Sequence, residues 1–127
     1  MKTVILFAAL LASTNVLASS VLCHVTYGGE TKPIRAQAVA SPEAVYRVPT
    51  VQVGSYFLFR VVLQTEPRDQ ASVKIYTYGD QADAPVIIHQ NSHDWPVRNR
   101  SRYGFTGLQR VYEPMRDGEL EYWCEAK

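Results

Sequence analysis

The chain has 127 residues, a length typical of one domain, and its 13 Lys and Arg residues nearly balance its 12 Asp and Glu residues. The formal net charge is +1, which excludes a globally basic nucleic-acid-binding protein. Any attraction to nucleic acid or to a membrane surface therefore has to come from a local patch of charge.

The first 18 residues have the three-part layout of a secretory signal peptide. Lys2 supplies a short basic start, Val4–Ala12 is apolar, and Val16–Ala18 is a small-residue cleavage site. The apolar run is too short to span a bilayer. We predict that residues 1–18 are a signal peptide and that residues 19–127 form a single secreted domain without membrane association. Lys2 is the only charged residue in the signal, so this domain carries equal numbers of basic and acidic side chains.

Only two cysteines occur in the chain, Cys23 and Cys124, and they lie near the two ends of the predicted domain. In an oxidising compartment, two cysteines permit one intramolecular bridge. Such a bridge would close a loop of about 100 residues, which the chain-entropy model values at roughly 4.7 kcal/mol. That value is comparable to the net stability of a small domain, about 5–15 kcal/mol. We predict a Cys23–Cys124 disulfide, and two unpaired thiols are the alternative.

The start of the predicted domain has one strand pattern followed by helix signals. Val21–Tyr27 is typical of a short strand, and two glycines end it. Pro33–Ala40 contains helix formers, with proline at an acceptable first helical position. Ser41–Glu43 then offers an N-cap residue followed by proline. These signals predict one broken helix, or two short helices, across residues 33–47.

After Pro49 the pattern changes to strands separated by turns. The predicted strands are Val51–Leu63, with Gly54 as a bulge or bend, Ser72–Tyr78, Pro85–His89, Leu108–Tyr112 and Glu119–Cys124. Asp117-Gly118 is a strong signal for the last hairpin. The fold prediction is an α+β domain in which one short N-terminal helix packs on an antiparallel sheet of four or five strands, closed by the N-to-C-terminal disulfide. An immunoglobulin-like β-sandwich is the alternative, because Tyr122 lies two residues before Cys124, as in a tyrosine corner.

His89, His93 and Asp94 form one polar segment. Residues four apart on an extended chain share a face, so the two imidazoles would lie on the same side. A metal site usually has three or four protein ligands, and His24 is the only other histidine. Solvent-facing loop histidines are the favoured interpretation, and neither a metal nor another cofactor is predicted.

A basic run follows this segment, with no acidic residue between Trp95 and Leu108. The run and its continuation contain four arginines: Arg98, Arg100, Arg102 and Arg110. A local cluster of this kind can neutralise phosphate groups, and Trp95, Tyr103 and Phe105 would be available to stack on bases. The alternative is a solvated strand edge that charge protects from aggregation.

Two short motifs and their order give the chain a resemblance to a known family. His93–Val97 is similar to an aromatic–Glu–Trp/Phe–Pro–aliphatic strand, and Leu108–Tyr112 is similar to an Asp-Arg-Val-aliphatic-aromatic strand. Both strands belong to the small secreted guanyl-specific ribonucleases of fungi, and the chain resembles even more the ribonuclease-like effectors that plant-pathogenic fungi secrete into host cells. The resemblance implies a helix packed on an antiparallel sheet, with Cys23 paired with Cys124.

The resemblance also implies two candidate catalytic residues. Asp94 would occupy the general-base position and Arg110 the position that holds the scissile phosphate. Such an enzyme also needs an acid to protonate the leaving 5′-oxygen. The acid histidine of the family follows its Arg-Val strand, and this chain has no histidine after His93. Efficient cleavage is therefore not expected.

The preferred functional hypothesis is a secreted, monomeric and non-catalytic fungal virulence effector that binds host RNA or a host protein and is delivered into host cells. Its predicted RNA-binding residues are Arg98, Arg100, Arg102, Arg110, Trp95 and Tyr103. One alternative is an active secreted endoribonuclease in which His89 or His93 supplies the acid. Another is an exported β-sandwich that serves as a binding or inhibitor module. Asn99 begins a glycosylation sequon, which matters only in a eukaryotic secretory route.

Overall fold

The structure is a computed structural model that describes residues 19–113, 115 and 117–127, so the predicted signal peptide lies outside the described residues. The described strands are β1 (Ser20–Tyr27), β2 (Glu30–Val39), β3 (Val51–Val53), β4 (Phe57–Gln64), β5 (Ser72–Asp80), β6 (Pro85–Asp94), β7 (Gln109–Glu113) and β8 (Gly118–Ala126). Two short 3-10 helices span Glu43–Arg47 and Arg68–Gln70. Within these described ranges, no helix is long and apolar enough to cross a membrane.

The eight strands form one sheet that curls into an almost closed barrel. Its strand order is β6-β5-β4-β2-β1-β8-β7, and β3 pairs with one end of β4. Every ladder is antiparallel except the short one between β2 and β4, where Ala38 lies opposite Leu63. β6 and β7 are the two ends of this order and contact each other, but no backbone ladder joins them within the described residues. We call the line between β6 and β7 the seam.

The α+β prediction is wrong, because the structure is 60% strand and only 7% helical. Residues 33–47, predicted as helix, form most of β2 and one 3-10 helix. Gly28 and Gly29 both have positive φ, 62° and 80°, as a two-residue hairpin turn that matches strand twist requires. The chain therefore folds back along β1, and the cross-strand pairing overrides the helix propensity of the segment.

The scaffold implied by the ribonuclease resemblance is also not found, since the described residues contain no helix of seven or more residues to pack on the sheet. The immunoglobulin-like alternative is wrong as well, because the strands form one barrel-like sheet instead of a sandwich. The predicted disulfide is confirmed. Cys23 on β1 lies directly opposite Cys124 on β8, and both residues are fully buried in the core.

Two predicted strands have different limits in the structure. Val51–Leu63 is split into β3 and β4 by a turn at Gly54, whose φ is 64°. β6 continues five residues beyond the predicted end at His89 and includes Asp94. This extension matters for function, because it places the polar segment on a strand next to the seam instead of in a loop.

Candidate functional site

A groove of about 630 Å³ lies where the chain leaves β6. We call it the basic groove, and its lining residues are Ser92, His93, Asp94, Pro96, Val97, Arg98, Arg100 and Phe105. Arg98 and Arg100 are exposed, and neither has an ion pair among the described residues. Among the described residues that line the groove, Asp94 is the only acidic one. The groove thus presents two free guanidinium groups and one carboxylate.

The arginines of the basic groove belong to a loop, residues 98–107, that is attached to the edge of β8. We call it the anchored loop. The Asn99 side chain pairs with the backbone of Ala126: Nδ2 donates to the carbonyl oxygen at 3.0 Å, and Oδ1 accepts from the amide at 2.9 Å. A glycan on Asn99 would remove the first of these bonds. Asn99 is therefore a structural residue of the folded protein, whatever the secretory route.

Cys124 provides the second attachment of the anchored loop. Its carbonyl oxygen accepts from the amide of Phe105 at 3.0 Å, and its amide donates to Thr106 Oγ1 at 2.9 Å. β7 pairs with β8 only as far as Tyr122, so the loop takes the place of β7 along the rest of this edge. The position of the arginines is thereby tied to the same residue that forms the disulfide.

Arg102 lies outside the basic groove and joins a row of rings on the outer face of the sheet. Its guanidinium lies 4.6 Å from the centre of the Tyr103 ring, and it also donates to the Tyr103 hydroxyl. Tyr103 contacts Trp123 edge-on at 6.0 Å, and Trp123 stacks on His24 at 4.0 Å. These rings pack against one another, so the row holds Arg102 in place. Little ring surface is left on which a nucleotide base could stack.

A hydrogen bond and an ion pair, both made by Glu125, complete this row at the end of β8. Glu125 lies 2.9 Å from Nε2 of His24 and 3.0 Å from Nζ of Lys127. Burial tends to raise the pKa of Glu125, but the hydrogen bonds from His24 and Lys127 outweigh burial and lower the pKa below its ordinary value. The carboxylate therefore keeps its negative charge and pairs with Lys127.

Arg110, the predicted phosphate-binding residue, is neutralised by acidic neighbours. Its Nε lies 2.9 Å from Glu121 and 3.6 Å from Glu119, both on β8. It is not part of the lining of the basic groove, whereas Asp94 is. The two predicted catalytic residues are thus not brought together in one site, and Asp94 has no ion pair with Arg98 or Arg110 among the described residues.

His89 and His93 do share a face, as their spacing predicts, but it is the inner face of the sheet and not solvent. His93 packs edge-on against Phe105 at 5.3 Å, and its buried Nε2 has no hydrogen-bond partner among the described residues. Nδ1 of His89 lies 3.4 Å from the hydroxyl of Tyr122, a buried residue of β8. The described residues include no group of three or more side chains suited to hold a metal.

Burial controls the ionisation of the groups at the seam. It lowers the pKa of His89 and raises the pKa of Tyr122 to about 12, the latter partly offset by a hydrogen bond from Asn91. Both side chains are therefore neutral at physiological pH. This polar contact between neutral side chains joins β6 to β8 inside the barrel.

The lowered pKa of His89 predicts that stability falls in mild acid. Above the ordinary histidine pKa of about 6.5, His89 is neutral in both the folded and the unfolded chain, so it adds no pH dependence to the free energy of unfolding. Below that pH the unfolded chain binds the proton first, so the free energy of unfolding falls until pH reaches the lower pKa of the folded state. Thermal unfolding measured from neutral pH to mild acid should show this decrease, and His89→Gln should make it smaller. An unchanged profile in the variant would contradict the assignment.

Comparison of this chain with protein-family models, curated proteins and solved structures gave no match. The chemistry of the site therefore rests on its own residues.

The predicted RNA-binding set is divided among several places. Trp95 lies apart from the arginines: its amide donates to the Ala71 carbonyl oxygen at 3.0 Å, and its ring packs against the core and lines another groove beside Arg68 and Glu66.

Three residues near the arginines were not selected from the sequence as part of a site: Ser92, Trp123 and His24. The sequence contained a signal for His24 and Trp123, because buried and less buried residues alternate around the cysteines of β1 and β8. His24 and Trp123 are the neighbours of Cys23 and Cys124 in the chain, and the disulfide register places them side by side. Ser92 lines the groove because β6 extends to Asp94, and the local sequence pattern had ended this strand at His89.

Proposed function

We propose that this protein is an exported binding protein that holds RNA by its phosphate backbone in the basic groove. The observation that carries the proposal is the pair of exposed arginines, Arg98 and Arg100, without an acidic partner in the described part of the chain. Guanidinium groups bind phosphate through two parallel hydrogen bonds, which makes this pair suited to consecutive phosphates. The buried disulfide is in keeping with a protein that works in an oxidising compartment.

The rest of the anchored loop supports the same proposal. Arg102 is held on the Tyr103 ring and extends the positive surface beyond the groove. Since the domain carries no net charge, this local patch supplies the attraction, and binding should depend strongly on salt. Phosphate contacts of this kind fix the position of the strand but carry little sequence information.

Cleavage of the bound RNA is the second candidate, because the groove also contains Asp94 and His93. Two features favour binding alone. Neighbouring residues on a strand point to opposite faces, so Asp94 and His93 do not face each other as an acid–base pair. The buried Nε2 of His93 also packs within the protein, which leaves it poorly placed to donate a proton to a leaving group.

Fluorescence anisotropy with a labelled single-stranded RNA tests the proposal. We expect the oxidised protein to bind at low salt, with an affinity that falls linearly on a log–log plot against salt concentration. Arg98→Ala/Arg100→Ala should weaken binding about tenfold or more and should reduce the slope by about 1.4, since each phosphate contact on a single strand contributes about 0.7. Asp94→Asn should bind slightly more tightly, because it removes a negative charge beside the phosphates.

Arg47→Ala/Arg68→Ala is the matched control, since it removes the same charge from two exposed arginines outside the basic groove. It should leave both affinity and slope close to those of the parent protein. Equal losses in the two double variants, or no RNA binding at low salt, would overturn the proposal and leave a protein partner as the remaining hypothesis. Shortened RNA on a gel, with cleavage abolished by Asp94→Asn, would make the groove an active site.

A further inference from the structure

The sheet is interrupted along one edge of β4. On one edge of β4, β3 pairs with Phe57–Phe59 and β2 pairs with Leu63 and Gln64. Between these ladders, Arg60, Val61 and Val62 have no strand partner on that edge among the residues that the structure describes. The segment of the first 3-10 helix covers the gap, because the Arg60 side chain donates to the carbonyl oxygens of Val45 and Val48, the latter at 2.8 Å.

A cavity of about 380 Å³ lies at this interruption, and we call it the β2–β3 pocket. Its lining residues are Ile34, Arg35, Ala36, Gln37, Val39, Ala44, Arg47, Val48, Pro49, Val51 and Val61. Three of them belong to the hydrophobic core, Ile34, Ala36 and Val61, and are at most 8% exposed. The pocket therefore has an apolar floor formed by the core itself.

The charged residues of the β2–β3 pocket are all of one sign. Arg35 and Arg47 line it, and none of its other described lining residues is charged. Nη1 of Arg35 donates to Ser20 Oγ at 3.2 Å, and Arg47 is exposed; neither forms an ion pair within the described ranges of the chain. An apolar floor with two unopposed cations is complementary to a molecule that has an apolar body and an anionic head.

We propose that the β2–β3 pocket binds a free fatty acid of medium chain length. The hydrocarbon would lie on the core side chains and the carboxylate would lie between Arg35 and Arg47. Burial of the acyl chain provides the non-directional part of the affinity, and the guanidinium groups select the ionised carboxylate. The cavity volume falls near the lower end of the range usual for small-ligand pockets, about 300–1,000 Å³, which favours one short chain over a diacyl lipid.

Isothermal titration calorimetry with decanoate, kept below its micelle concentration at neutral pH, tests this inference. We expect one decanoate to bind per chain, with a negative heat-capacity change that reports burial of the hydrocarbon. Decanol should bind more weakly, because it lacks the charge. Arg35→Gln/Arg47→Gln should weaken decanoate binding about a hundredfold and remove the preference over decanol, since each charged hydrogen bond contributes about tenfold.

Ala44→Phe gives a second variant that does not alter the charge. Ala44 is half-buried in the covering 3-10 segment, so a larger side chain there should fill the pocket and abolish binding of both ligands. Thermal unfolding of each variant separates loss of the site from loss of the fold. Arg68→Gln, which lies outside this pocket, is the matched control and should bind decanoate normally.

Several results would overturn the fatty-acid proposal: no heat from decanoate, equal binding of decanol and decanoate by the parent protein, or unchanged affinity in folded Arg35→Gln/Arg47→Gln. The RNA proposal is independent of these outcomes. Arg98→Ala/Arg100→Ala should bind decanoate as the parent protein does, because neither arginine lines the β2–β3 pocket.

Discussion

Replacement of both cysteines, as Cys23→Ala/Cys124→Ala, is expected to lower the free energy of unfolding by about 4–5 kcal/mol. The two residues are 101 positions apart, so the bridge constrains nearly the whole domain in its unfolded state. The loss is similar in size to the total stability of a small domain, about 5–15 kcal/mol. A large fraction of the variant should therefore be unfolded at physiological temperature.

Urea unfolding followed by circular dichroism measures this effect. The oxidised parent protein, the reduced parent protein and the double variant are compared, and the reduced parent should behave like the variant. The backbone pairing between β1 and β8 does not itself require the disulfide, so it should favour whatever folded fraction survives reduction. A loss below about 1 kcal/mol in the double variant would show that the bridge adds little to a sheet that is already stable, contrary to the loop-entropy argument.

Gly104→Ala is expected to destabilise the protein by about 3 kcal/mol or more and to detach the anchored loop. A Cβ atom at this position would lie 2.7 Å from the carbonyl carbon of Cys124 and closer still to its oxygen. Both atoms belong to the backbone of a buried residue, so they cannot rotate away. Gly104 also has a φ of 64°, which is unfavourable for alanine by about 1–2 kcal/mol.

Gly107→Ala is the control for this prediction. Gly107 has a similar φ of 70°, but no atom of the described part of the chain lies within 4 Å of the Cβ position, so only the backbone cost applies. Thermal unfolding should thus separate the two variants clearly. Gly104→Ala should also weaken RNA binding, because Arg98 and Arg100 depend on the loop for their position. Equal stability of the two variants would mean that the loop does not lie against Cys124 as described.

Much of the strand pattern could be predicted from local sequence, while the first hairpin could not. Arg35, Ala36 and Gln37 are good helix formers, and a proline at the first position added to that signal. The alternation of buried Ile34 and Ala36 with exposed neighbours is short and ambiguous by itself. The turn at Gly28 and Gly29 decides the structure, because it folds β2 back onto β1. Local helix propensity does not include this cross-strand pairing.

The candidate site was predicted in part. Arg98 and Arg100 do lie together, but the expectation of one basic edge fails at Arg110. The turn at Asp117 fixes the register of β7 and β8 and places Arg110 opposite Glu121. The Asp117-Gly118 hairpin motif therefore already indicated that the charge of Arg110 would be neutralised by an acidic side chain. The attachment of the anchored loop through Asn99 depends on a tertiary contact with Ala126, which no spacing in the sequence reveals.

The wall of the barrel has a slit along the seam, where β6 and β7 approach each other without a ladder in the described residues. Widening this slit breaks side-chain contacts such as that between His89 and Tyr122 but no paired backbone groups. The opposite is true of β1, which is paired on both sides and bonded covalently to β8. Opening of the barrel wall along this seam should therefore expose the inner-face side chains of His89 and His93 to water.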